Sequence, residues 1–355
     1  FLFFEFKQTH FCKITKILIV LLFLESFFNF TFAFHIIGFI FLMFLCIKIV
    51  YFMDNIILVF LCLFIGFGLQ FVKAFPKNGY LALNQFIIYV ALPALTLFYI
   101  PKIEINAALF FPLGVAWLGF VMAFLFFYFL GKRLGWSNKL IGCLILTAGL
   151  GNTSFVGFPI INALYGEEGL KTAIIVDQPG TFTVLTTFGI ITASLFSKGK
   201  PSVKYIVFKM ITFPPFIAFV LAFLMNLIKI NFPMDVQSVF QKLGSTITPI
   251  ALVSVGLQIT IDKKSQHWGF LALGLFYKLM ITPALFYLLY KVVLHGKGLA
   301  VDVSITEAAM APMITACILA ATYGLKPKLS GMMIGIGIPL SFITVAFWYW
   351  ILTTF

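Results

Sequence analysis

Apolar and polar positions alternate in long blocks along this chain, with short polar connections between them, from about residue 55 to the end. A helix needs about 20 apolar residues to cross a ~30 Å hydrocarbon core. Runs of that size fall near 55–72, 80–100, 106–130, 138–164, 170–196, 203–228, 237–261, 267–294, 299–323 and 329–354. The connections are short and carry no soluble domain. The pattern predicts an all-α polytopic membrane protein with ten transmembrane helices.

The runs also repeat. The second carries Pro93 in YVALPALTLFYI and the seventh carries Pro249 in TITPIALVSVGL; the fourth ends at Tyr165-Gly166 and the ninth at Tyr323-Gly324. These offsets, 156 and 158 residues, place the boundaries of the first five runs on those of the last five. Five is odd, so the halves lie in opposite orientation. The expected organisation is a first five-helix repeat over 53–196, a short cytoplasmic linker at 197–204, and a second, inverted repeat over 205–355. Inverted repeats with interrupted helices in corresponding places are a mark of secondary transporters.

Two corresponding runs are interrupted. The fourth, LIGCLILTAGLGNTSFVGFPIINALYG, has Gly149, Gly151, Gly157 and Pro159 in its middle, with Asn152, Thr153 and Ser154 among them. The ninth, VSITEAAMAPMITACILAATYG, has Pro312 at its centre, flanked by Glu307 and Thr315. An isolated proline in a membrane helix is more often a kink. Glycine, proline and polar residues together favour a true break, because freed backbone groups are tolerated at membrane depth only against protein or a wet cavity. Proline suits the first position of a helix, so Pro159 and Pro312 are each expected to start a half-helix. Such a start carries unpaired amide donors and roughly half a positive charge. Two of them entering from opposite sides would suit a carboxylate. The expected substrate-binding residues are Asn152, Thr153, Ser154, Pro159, Pro312 and Thr315.

Ionisable residues inside the runs add a second set. Asp177 lies about 10 Å deep in the fifth run at 1.5 Å per residue, with Gln178 after it. Glu307 lies at comparable depth in the ninth. Groups so placed are costly and usually line ion or substrate paths; the plain alternative is a hydrogen bond holding two helices together. Lys278, in FYKLMITPALF, needs an acidic or carbonyl partner, either as counter-ion or as a cation on the substrate side. Asp177, Gln178, Glu307 and Lys278 are the candidates for proton coupling or an ion pathway. Asp302 is expected at the membrane surface, and Lys209 snorkels inward.

Composition narrows the function classes. The chain of 355 residues is 62% hydrophobic and only 10% charged, with mean hydropathy +1.11, where a soluble domain carries about 25% charged residues. Most soluble catalysis is excluded. The net charge of +13 is spread singly between apolar runs, which argues against nucleic acid and for the positive-inside rule. Twelve loop cations on one side against six on the other put Met53 and Phe355 outside; the expected location is a bacterial inner membrane. The cysteines (Cys12, Cys46, Cys62, Cys143, Cys317) show no CxxC, and His10, His35, His267 and His295 lie in the first stretch or at run edges. No metal site or cofactor is expected. An intramembrane enzyme would need a motif such as HExxH or GxSxG, and neither occurs. Residues 1–52 hold 15 Phe and one Gly, against 32 Phe and 26 Gly in the remainder. They are read as a foreign N-terminal extension, with translation starting at Met53; the alternative is extra spans at 17–34 and 36–52.

GNTSFVGFPIINALYG, VDQPG, ALVSVGL, EAAMAPMITACILAATYGLKP and YVALPALTLFYI together resemble the auxin efflux carrier family, within the superfamily of bile acid, arsenite and riboflavin transporters. The resemblance covers about Met53 to Phe355. It implies a scaffold of spans one, two, six and seven that often dimerises, and a mobile domain whose fourth and ninth helices cross at prolines. Asn152, Thr153 and Pro159 match the first crossover, Pro312 the second, and Asp177-Gln178 the acidic-amide pair of microbial members. Plant carriers have an Asn-Pro-type motif where this chain has Glu307-Ala308-Ala309-Met310-Ala311-Pro312, and a long central loop that it lacks. Microbial relatives are associated with malonate, malate and similar acids. The expectation is therefore a secondary transporter of a small organic anion in the lipid bilayer, working by elevator-like alternating access; the rivals are a channel and a sensory or structural membrane protein.

Overall fold

Every regular element in the computed structural model is a helix among the described residues, which are 57–197, 204, 207–208, 211–259 and 267–354. The readings of residues 1–52, of most of the linker and of Lys209 fall outside them. Helices are what a segment without water must form, since each satisfies its own backbone groups. Five are long and apolar enough to cross a membrane: α2 (Gly79–Lys102), α3 (Ala107–Arg133), α5 (Thr153–Phe196), α9 (Trp268–Val293) and α12 (Pro327–Thr354). Between them stand the shorter helices α1 (Ile57–Leu69), α4 (Asn138–Gly149) and α6 (Pro214–Leu227). The others are α7 (Met234–Ser245), α8 (Ile247–Gln258), α10 (Leu299–Ala308) and α11 (Ile314–Thr322).

Local chemistry sets the ends. The Asn106 side chain accepts from the Ala108 N–H at 2.9 Å just before α3, and Lys132 and Arg133 fill its last turn, where cations oppose the helix dipole. Ser137 caps α4. The 44 residues of α5 are two limbs, because Gly166 bends the run with φ +67° and ψ −163°. Gly324 ends the α11 segment with φ +68°. Both follow a tyrosine, 158 residues apart in the sequence.

Three prolines inside the spans share one local solution. A π-turn at Ile87–Ala91 precedes Pro93, one at Thr153–Gly157 precedes Pro159, and one at Tyr277–Ile281 precedes Pro283. Proline has no N–H and its ring crowds the carbonyl four residues back. A wider turn just before it relieves both problems, and the helix runs on.

Helix α2 packs against α6 and α7, with α8 along its first turns, whereas α3, α4, α5, α9, α10, α11 and α12 pack mainly among themselves. The groups meet where α8 touches the first limb of α5 and where α6 touches residues 176–182. Helices α1 and α8 cross backbone to backbone. A side chain on Gly66 would strike the Val253 carbonyl, and one on Gly256 the Leu63 carbonyl.

Candidate functional site

Two broken helices meet inside the second group. Helix α4 stops at Gly149 and α5 begins at Thr153; α10 stops at Ala308 and α11 begins at Ile314. The connecting residues run antiparallel as an isolated bridge between Gly151 and Pro312. The Asn152 N–H donates to the Ala311 carbonyl at 2.7 Å, and the Met313 N–H donates to the Leu150 carbonyl at 3.0 Å. Each break thus supplies the backbone partners that the other lacks.

The two half-helix starts differ. Asn152 caps α5, its Oδ1 accepting from the Phe155 N–H at 3.1 Å, while its Nδ2 is buried with no hydrogen-bond partner in the protein. At α11 the capping position is Met313, which offers no side-chain acceptor. The first amides of that helix lack both an intrahelical partner and a side-chain cap.

Three charged residues lie beside the crossing. Asp177 is tied down at both oxygens, by the Thr153 hydroxyl donating at 2.6 Å and the Gln178 amide at 2.9 Å, and Ser154 also faces it. Gln178 Oε1 is buried without a partner. Glu307 is fully buried, and neither carboxylate oxygen has a hydrogen-bond partner. It lies against Gly157, where a Cβ would come 2.5 Å from Oε2. Lys278 is 3% exposed and donates to the Ala308 carbonyl at 3.0 Å, the C-terminal and so negative end of α10. Lys278 and Glu307, with Thr153, Thr181 and Thr282, line a cavity of about 10 Å³, the room of about one water-sized sphere.

The structure therefore gathers Asn152, Thr153, Ser154, Asp177, Gln178, Lys278 and Glu307 at one crossing. It corrects three sequence expectations. Pro159 does not start a half-helix: α5 is already turning at Thr153, and the π-turn carries the chain into the proline. Pro312 lies in the extended bridge, two residues before α11. Thr315 is exposed and turned away from the cluster, because Ile314, Ala316 and Cys317 hold the buried face of α11. Asp302, expected at the surface, is paired with Lys291 at 2.7 Å. Sequence reading missed Thr181 and Thr282, which carry no signal beyond being threonines in apolar runs. It also took Gly151 and Gly157 only as helix breakers, whereas their missing side chains make room for Lys278 and Glu307.

Residues 51–349 match the model of the membrane transport protein family, the auxin efflux carrier family. The chain belongs to this family. It is 29% identical over 309 residues to an uncharacterized transporter of Methanocaldococcus jannaschii, covering 84% of this chain and 98% of the relative. It is 25% identical over 302 residues to an uncharacterized transporter of Methanothermobacter thermautotrophicus, covering 83% and 96%. As a member of the auxin efflux carrier family it is a multi-pass membrane transport protein, and the polar crossing lies inside the matched region.

Proposed function

We propose that this family member is a secondary transporter of a small organic anion, with the carboxylate held at the crossing. The observation that carries the reading is the start of α11: a half-helix with free amide donors and no side-chain cap, in the same crossing as the unpartnered, buried Asn152 Nδ2. Donors and a positive dipole end within an apolar bundle suit a carboxylate. Asn152 Nδ2 is the free donor in its wall, Thr153 and Ser154 stand beside it on Asp177, and Pro159 and Pro312 shape the break.

The ten-span, inverted-repeat organisation is part of the proposal. It is supported by the paired glycine bends at Gly166 and Gly324 and by the two breaks. In it α1, α2, α6, α7 and α8 form the scaffold, through which two copies pair. The remaining helices carry the crossing as a moving body, with Met53 and Phe355 on the outer side of the cell membrane. Asp177 and Glu307 are the proposed proton-coupling pair: Glu307 has no partner holding its carboxylate, and Asp177, held by Thr153 and Gln178, is the second buried carboxylate at the crossing.

A thermal-shift screen of the purified chain against dicarboxylates, short-chain acids and indole acids tests the substrate class. A ligand at 100 times its Kd stabilises the native state by about 2.7 kcal/mol. No stabilisation and no uptake of malonate or malate by proteoliposomes overturns the anion reading, and single-channel current overturns the carrier. Coupling is tested with the double variant Asp177→Asn, Glu307→Gln, whose transport is expected to ignore an imposed pH gradient. A retained response disposes of the coupling assignment.

A further inference from the structure

Two cavities lie outside the polar cluster of the crossing, and they exchange parts. The smaller, about 180 Å³, is walled by the end of α2 at Tyr99, the first limb of α5 at Asn162, and the start of α8 at Pro249. The larger, about 440 Å³, is walled by the end of α8 at Gln258, α11 at Ile318, and the turn before α2 at Lys77. What α2 and α5 contribute to one, α8 and α11 contribute to the other. The Gln70 amide fixes the larger cavity's wall by donating to the Gly256 and Ile259 carbonyls at 2.7 and 3.1 Å.

The two differ in exposure and in charge. On α11, Thr315, Ile318 and Thr322 are exposed, a spacing of three, then four, that keeps them on one helix face. Ile318 lines the larger cavity, so this face runs from there to the uncapped start of α11. The first limb of α5 has no such stripe, since Phe158, Pro159, Ile161 and Ala163 are buried. Among the described residues, the charged residue lining the larger cavity is Lys77; the one lining the smaller is Glu167, with Lys102 near enough to act on it.

We propose that the larger cavity is an anion-admitting vestibule, in which Lys77 concentrates a small carboxylate on the Thr315–Ile318–Thr322 face of α11 and so makes the carrier unequal toward anions at its two ends. This rests on the anion-carrier reading and deepens it.

The test needs no knowledge of the substrate. The full chain with Ile318→Cys, in liposomes, is treated with a sulfonate-bearing and a trimethylammonium-bearing methanethiosulfonate. Each rate is divided by that reagent's rate on a free thiol. Among the described residues Cys62, Cys143 and Cys317 are buried, and the rate of the unmodified chain, which also holds Cys12 and Cys46, is subtracted as the baseline. In buffer of about 0.01 M ionic strength, one positive charge about 8 Å away favours the anionic reagent about fourfold. That excess is expected with Ile318→Cys, falls at least about twofold when Lys77→Gln is added, and inverts with Lys77→Glu, while Asn162→Cys in the smaller cavity shows none. Equal rates at Ile318→Cys, an excess that ignores Lys77, or the same excess at Asn162→Cys overturns the proposal. Thr322→Cys, one turn further along the face, is the second probe, and silence at both positions also overturns it. In malonate transport, Lys77→Gln is expected to raise KM about threefold from the vestibule side, with kcat unchanged. A KM that ignores Lys77 overturns the vestibule. Absent malonate transport with the labelling pattern intact counts against the substrate reading alone.

Discussion

At the residue scale the crossing depends on what two glycines leave out. The Glu307 carboxylate occupies the space a side chain on Gly157 would fill, and the Lys278 ammonium lies where a Cβ on Gly151 would stand 3.1 Å away. Gly157→Ala is expected to cost about 1–3 kcal/mol, the usual range for overpacking, and to displace Glu307. Thermal unfolding in detergent reads the first effect and transport the second; a variant with unchanged Tm and full transport contradicts the packing argument. Asn152 has two separable duties, one at each end of its amide: Oδ1 caps α5 and Nδ2 is free. Asn152→Ala loses both, with about 1 kcal/mol from the cap, whereas Asn152→Ser keeps a capping oxygen. The expected outcome is recovered stability in the serine variant without recovered transport. Transport recovered by the serine variant would place the whole effect in the cap.

Among the elements, the breaks were legible in the sequence and the half-helix starts were not. Glycine, proline and polar residues in corresponding runs mark where α4 gives way to α5 and α10 to α11. The starts are set by other things: by the Asn152 cap, and by hydrogen bonds between Leu150, Asn152, Ala311 and Met313, which no local pattern contains. Thr315 is a related case. Its polarity drew it into the expected site, but its angle on α11 is fixed by the packing of Ile314, Ala316 and Cys317. Pro159 belongs with Pro93 and Pro283, each two residues beyond a π-turn. Pro159→Ala restores an N–H and lets the turn tighten, and Pro312→Ala frees the bridge. Each is expected to abolish transport while membrane insertion persists, as vesicle fractionation and uptake would measure. Wild-type uptake by either variant removes that proline from the mechanism.

For the whole molecule, the sequence pattern carried the all-helical membrane class and the family, because both follow from apolar block length and a few fixed motifs. Close helix contacts were less visible. Gly66 and Gly256 let α1 and α8 touch backbone to backbone, as small residues do in membrane bundles. Gly256→Ala is expected to lower stability by about 1–3 kcal/mol, seen as a reduced Tm; an unchanged Tm would mean the two helices separate freely. The antiparallel bridge has a consequence for biosynthesis. The Asn152 N–H and Leu150 carbonyl find their partners in Ala311 and Met313, roughly 160 residues later in the chain. At about 5–20 residues per second, the first break waits on the order of 10–30 s in the bilayer before the second emerges from the ribosome. For that interval the nascent first half holds polar backbone in a non-polar medium, so its survival rests on the insertion machinery and not on its own fold.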